Sequence, residues 1–127
     1  MFTHVMVGAN DVEKSRKFYT ETLGALGYQP HVHGEMTFFT DGTTGFGVGR
    51  PANGEAAHHA NGGTIGFKAK TTAEVDAFYA AGLANDGTCE GKPGVRENAP
   101  GKSYGAYLRD PDGNKICAYA PNPNAAA

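Results

Sequence analysis

The chain has 127 residues, enough for one domain whose hydrophobic core needs no disulfides or structural metals. Eleven Lys and Arg against thirteen Asp and Glu give a net charge of −2, with no basic stripe or charged block, which excludes nucleic acid as an expected partner. No apolar run nears the roughly 20 residues of a membrane span, and the opening MFTHVMVGAN lacks the charged leader and apolar core of a signal peptide, so a cytoplasmic protein is expected, without a membrane partner.

In chain order, THVMVGA (residues 3–9) reads as a strand. A helix follows, with Asn10 and Glu13 placed as a capping box. Val12, Tyr19, Leu23 and Leu26 recur near the helical period, and Gly27 stands where the helix would stop. The runs YQPHVH, EMTFFT and TGFGVG, bounded by Gly, Asp and Pro, read as three short strands. The stretch PANGEAAHHANGG (51–63) is a linker.

The pattern then begins again. GTIGFKA (63–69) is a strand, and Thr71 with Glu74 form a second capping box. Val75, Phe78, Tyr79 and Leu83 mark a second helix, with Gly87 at its end. Phe18-Tyr19 repeats as Phe78-Tyr79, Leu23 as Leu83 and Gly27 as Gly87, all at an offset of sixty. A glycine-rich stretch, then SYGAYLR and KICAYA, supply the remaining strands, and PDGNKICAYAP echoes TDGTTGFGVGRP.

The repeat predicts an α+β fold of two βαβββ modules. Module one covers 1–50, the linker 51–63 and module two 64–121, with a frayed tail at 122–127. A lone unit leaves an apolar sheet face uncovered. Two copies are therefore expected to form a curved, barrel-like mixed sheet with the helices outside, its concavity open to a small ligand.

The stretches HVMVGANDVEKSRKFYTETLGALGY, GTIGFKAKTTAEVDAFYAAGLANDG and YGAYLRDPDGNKICAYAP together resemble the glyoxalase/bleomycin-resistance/dioxygenase superfamily, the vicinal oxygen chelate proteins, over residues 2–121. DPDGNKI followed by an apolar strand is among the more specific pieces. The resemblance implies paired βαβββ modules, a homodimer and, in many of the family's enzymes, a divalent metal held by the first and last strands of both modules. Carried onto this chain, those positions are His4, Thr64, Gly47 and Cys117. Glycine offers no ligand and threonine a poor one, where such ions take His and carboxylate donors. The inherited metal site is therefore expected to be absent, and no cofactor is expected.

His4 faces the shared cavity in this reading, as a candidate acid/base or as a core histidine. Cys117 is a nucleophile if paired with a charged His4, or else an inert small hydrophobe. Tyr104 and Tyr107, three apart, face opposite sides of a strand, with Tyr107 on the cavity wall. The expected ligand-binding set is thus His4, Thr64, Tyr107 and Cys117. Arg50 and Arg96 are surface charges or counter an anionic substrate, and His31, His33, His58 and His59 belong to exposed strand and linker. Two functions remain open: a glyoxalase-like lyase with His4 as acid/base and Thr64 or Tyr107 orienting, or a protein that binds an aromatic or antibiotic-like small molecule without turnover.

Overall fold

The computed structural model describes residues 1–124. Its elements run β1 (His4–Gly8), α1 (Val12–Gly24), β2 (His31–His33), β3 (Met36–Thr40), β4 (Gly45–Gly49), then β5 (Ile65–Lys68), α2 (Thr72–Ala84), β6 (Thr88–Val95), β7 (Tyr104–Arg109) and β8 (Lys115–Ala120), with a short 3-10 turn at Pro100–Lys102. The two βαβββ units expected from the repeat are present. The first builds a sheet of order β1-β4-β3-β2 and the second a sheet of order β5-β8-β7-β6. In each, the first strand runs parallel to the last and the other pairs are antiparallel, so both sheets are mixed. Among the described residues no strand pairs across the modules, so the sheets are joined by side chains and do not close into a barrel. No helix of the described residues is long and apolar enough to cross a membrane.

Alternation along the strands separates two faces. Phe39, Phe46 and Val48 of module one, and Ala106, Leu108, Ile116, Ala118 and Ala120 of module two, point at the helices and are buried. Helix α1 meets them with Phe18, Tyr19 and Leu23, and α2 with Val75 and Phe78. The rings of Tyr19, Phe46 and Phe67 follow one another at centroid distances of 4.8 and 5.0 Å, carrying the core from α1 through β4 to β5 of the other module. Such aromatic pairs add about 0.5–1.5 kcal/mol each beyond their buried area.

Three local expectations change. The N-cap of α1 is Asp11, which accepts from the Lys14 amide, while Asn10 is turned elsewhere. Thr71 does cap α2, and Glu74 reaches back to the Lys70 amide. Leu83 is 45% exposed, because Gly82 takes the inward position and receives the Leu108 side chain against its backbone. After α2 the left-handed residue is Asp86 (φ 71°), whereas Gly87 serves a close approach: a Cβ there would lie 2.5 Å from the Phe18 ring.

The DPDGN turn binds the modules together. Asp110 Oδ1 accepts the amides of Asp112 and Asn114, both at 2.9 Å, an arrangement typical of Asp in tight turns. Its Oδ2 accepts the Tyr19 hydroxyl at 2.5 Å and the Asn114 amide group at 2.8 Å. Asp112 in turn accepts from the Asn10 amide, the Asn10 side chain and the Ser15 hydroxyl. The corresponding turn of module one rests on Asp41, whose Oδ1 accepts the amides of Thr43 and Thr44. The structural partner of Asp41 is therefore Asp110, two residues earlier than the match of Asp41-Gly42 with Asp112-Gly113 implies.

The linker is also tied down. Ala57 donates its amide to Asn10 Oδ1 at 2.7 Å and accepts from Asn10 Nδ2 at 3.0 Å, and it packs on Gly8. At the other end, Asn122 donates to the Lys102 carbonyl at 3.0 Å. The expectation of a frayed tail lies outside the described residues for positions 125–127.

Candidate functional site

The faces turned away from the helices carry the chemistry, and the two modules differ sharply there. In module one that face holds Gly45, Gly47 and Gly49 of β4, covered by neighbouring side chains. A Cβ on Gly47 would meet the Met6 thioether and, at 2.8 Å, a Phe38 ring carbon, and one on Gly49 would meet the Met36 sulfur. These glycines exist to let methionine and phenylalanine lie on the strand.

In module two the same face is polar and aromatic. Lys115, Cys117 and Tyr119 alternate along β8, and Tyr107 stands opposite Cys117 on β7. The Tyr107 and Tyr119 hydroxyls share a 2.8 Å hydrogen bond, with ring centroids 5.8 Å apart and planes at 84°. Tyr119 lies flat on Gly105, where a Cβ would come 2.5–2.7 Å from its ring. Gly91 and Gly94 of β6 pair with Tyr107 and Gly105, and the Arg96 guanidinium lies over both glycines. Arg96 reaches over the Tyr107 ring at 5.7 Å from its centroid, and the Lys115 ammonium sits 5.1 Å from the same centroid. Arg96, Tyr107 and Tyr119, with Ala99, Pro100 and Ser103 of the β6–β7 connection, line an open pocket of about 570 Å³.

The electrostatics follow from this geometry. The hydrogen bond with Tyr119 holds the Tyr107 phenol well above its ordinary pKa, and burial adds to that. Burial pushes the Cys117 thiol up to about 11, although Tyr107, Lys115 and Arg96 pull the other way. Cys117 is therefore a neutral thiol near pH 7, the small hydrophobe of the two readings, and not a nucleophile.

Of the expected site residues, the structure brings Tyr107 and Cys117 together. Tyr104 points to the opposite side, its hydroxyl donating to Asp76 of α2 at 2.6 Å. His4 lies on β1 of the other sheet, opposite Gly45, exposed and hydrogen-bonded through Nδ1 to the Thr3 hydroxyl. Thr64 precedes β5 and lines a separate cavity of about 300 Å³ with Met6, His58 and Asn114. Neighbouring His59 lies against Gly113 instead, so the two linker histidines part company. His31 and His33 share one exposed face opposite Phe38 and Met36. A further cavity of about 240 Å³ opens between the modules, with Val5, Phe39, Phe46, Ile65 and Phe67 among its walls.

Sequence reasoning passed over Tyr119 and Lys115. Strand alternation in KICAYA, which puts them on the face of Cys117, was the available signal.

Of the four positions that the resemblance assigns to a metal, only His4 carries a nitrogen donor. Ala9 donates to Gly49 and Ala69 to Tyr119, both at 2.8 Å, so Gly47 and Cys117 occupy equivalent places in the two last strands. One has no side chain and its space is filled by Met6 and Phe38, and the other holds a protonated thiol. Among the described residues no three His, Cys, Asp or Glu side chains converge in a way that could hold a metal.

The model of the Glyoxalase/Bleomycin resistance protein/Dioxygenase superfamily matches residues 1–118. A crystal structure of a glyoxalase/bleomycin resistance protein from Albidiferax ferrireducens T118 is similar over 96% of this chain and 99% of its own, at 50% identity and a TM-score of 0.88. A glyoxalase-related enzyme from Fulvimarina pelagi shares the fold at 17% identity, covering 100% and 95% of the two chains with a TM-score of 0.74. A lactoylglutathione lyase from Agrobacterium tumefaciens does so at 24% identity, 94% and 92% coverage and a TM-score of 0.63. A search of curated protein sequences returned no match.

Proposed function

Since the chain belongs to the Glyoxalase/Bleomycin resistance protein/Dioxygenase superfamily, we propose that it binds a small organic molecule on the open face of module two, without a side-chain metal centre and without glyoxalase-type turnover. One observation carries this reading. Where the family's enzymes would place metal donors, this chain has His4, Thr64, a covered Gly47 and a Cys117 thiol pushed up to about 11. What module two offers instead is an aromatic pocket with two tyrosine hydroxyls and the Arg96 guanidinium on its wall, the few convergent polar groups on an apolar wall that small-molecule sites share.

The lyase reading would need a general acid/base beside the ligand, yet His4 is on the other sheet and makes its hydrogen bond with Thr3. The fold does not decide between the two, because one scaffold hosts many chemistries. Two assays on the purified chain do. Hemithioacetal substrates with added Ni²⁺ or Zn²⁺ are expected to give no turnover above the protein-free rate. A panel of small aromatic compounds is expected to raise the thermal midpoint in a dose-dependent way. Metal-dependent turnover that disappears in His4→Ala would overturn the reading.

A further inference from the structure

We propose, resting on the binding reading above, that Arg96, reinforced by the nearby charge of Lys115, forms an anion subsite and that the ligand is a small, partly apolar molecule carrying a carboxylate. The chain has four arginines, at positions 16, 50, 96 and 109. Arg16 pairs with Glu13 at 2.6 Å, Arg50 with Glu35 at 3.1 Å and Arg109 with Glu90 at 3.1 Å. Arg96 alone has no carboxylate within salt-bridge distance among the described residues. It is nevertheless fixed in place: its guanidinium donates to the Gly94 carbonyl at 2.9 Å and to the Lys92 carbonyl at 2.6 Å.

A guanidinium has five N–H donors. Two are spent on these carbonyls, and the rest are free on a group that is already ordered. That is the condition under which a charged contact gains affinity without a large entropic cost.

Lys115 strengthens the case. It too lacks an ion pair among the described residues, and it approaches the same Tyr107 ring as Arg96. Two cations beside one ring repel each other, and the ring's negative face offsets this by only about 0.5–1 kcal/mol at a half-exposed position. The nearby carboxylate of Glu90 is engaged by Arg109. A carboxylate arriving from solvent relieves the repulsion and finds donors in the Arg96 guanidinium and in whichever tyrosine hydroxyl is not donating to the other, while Lys115 adds its charge from beside the Tyr107 ring. Ala99, Pro100 and the tyrosine rings receive the apolar remainder.

Benzoate and benzamide differ chiefly in charge, so they isolate this term. Both are titrated into the ¹⁵N-labelled full chain while amide shifts are followed. Benzoate is expected to move the amides of Gly91, Gly94, Gly105 and Tyr107 saturably, and to bind about tenfold or more tightly than benzamide, as charge-assisted hydrogen bonds should. The ratio should fall toward one in Arg96→Gln and in Lys115→Met, and should shrink with added salt. Either variant suffices, provided its spectrum stays dispersed. If benzamide binds as tightly as benzoate at these amides, the anion subsite is overturned while the small-molecule reading stands. If benzoate moves only amides elsewhere, or none, the subsite is likewise overturned, and the thermal panel judges the broader reading separately.

Discussion

The phenol of Tyr19, in α1, donates a 2.5 Å hydrogen bond to the carboxylate of Asp110, in the turn that leads into β8. Ninety-one positions separate them, and both are buried. Tyr19→Phe removes this one bond and leaves Asp110 its Asp112 and Asn114 donors, so a loss of about 1–3 kcal/mol is expected. Asp110→Ala strands the phenol and opens the turn as well, and about 3 kcal/mol or more should be lost. Urea denaturation of both variants measures the difference.

The same carboxylate sets a pH dependence. Burial raises the Asp110 pKa, against the pull of its hydrogen bonds to Tyr19 and Asn114. A raised native value means the folded chain holds the proton more tightly than the unfolded chain, whose Asp titrates near 3.9. This group's contribution is therefore full below about pH 3.9 and lost as pH rises through the native value. Plotted from pH 3.5 to about 7, the urea midpoint of the native chain minus that of Asp110→Asn should decline with pH. A difference that rises instead would show the hydrogen bonds outweighing burial.

The thiols should separate kinetically. Cys89 is exposed and Cys117 buried, with the Cys117 pKa pushed up to about 11. At pH 7.5 a disulfide reagent should titrate one thiol quickly in the native protein and both after denaturation. Cys117→Ser should keep the fast phase and Cys89→Ser should lose it. Rapid modification of Cys117 in the native chain would contradict the assignment.

A carboxylate restored to β4 should not be accepted. In Gly47→Glu the new Cβ falls on the Met6 thioether and 2.8 Å from Phe38. The Met6 chain can move, but the strand is overfilled, and about 1–3 kcal/mol of stability should be lost by urea denaturation.

Asn10 holds the linker through both its carbonyl and its amide group. Asn10→Ala should leave α1 capped by Asp11 while freeing residues around Ala57. Limited proteolysis is expected to cut within 51–63 several times faster than in the native chain, and cleavage at an unchanged rate would show the tether to be unimportant.

How far the sequence could be read depended on range. Alternation, helical period and an offset of sixty are local or self-referring signals, and they place both modules and the opposite facing of Tyr104 and Tyr107. Asn10 was misread as the cap because its partners, Ala57 and Asp112, lie 47 and 102 positions away. Locally it is as good a capping residue as Asp11. Leu83 follows the helical period of its repeat, but the space it would fill is taken by Leu108 across the glycine at 82. The site was half legible. Tyr107 and Cys117 followed from strand position, whereas the carbonyl clamp on Arg96 depends on an irregular β6, whose register slips between Cys89 and Gly94.

Because every strand pair closes within its own module, the contacts between modules are made of side chains and one turn, and another copy's module two would present the same surface. What makes a chain choose its own is the linker, which holds the second half at an effective concentration on the order of millimolar. Shortened until it cannot span, the same linker would hand those unchanged contacts to the second module of a neighbouring copy, an exchange of modules that needs no new interface.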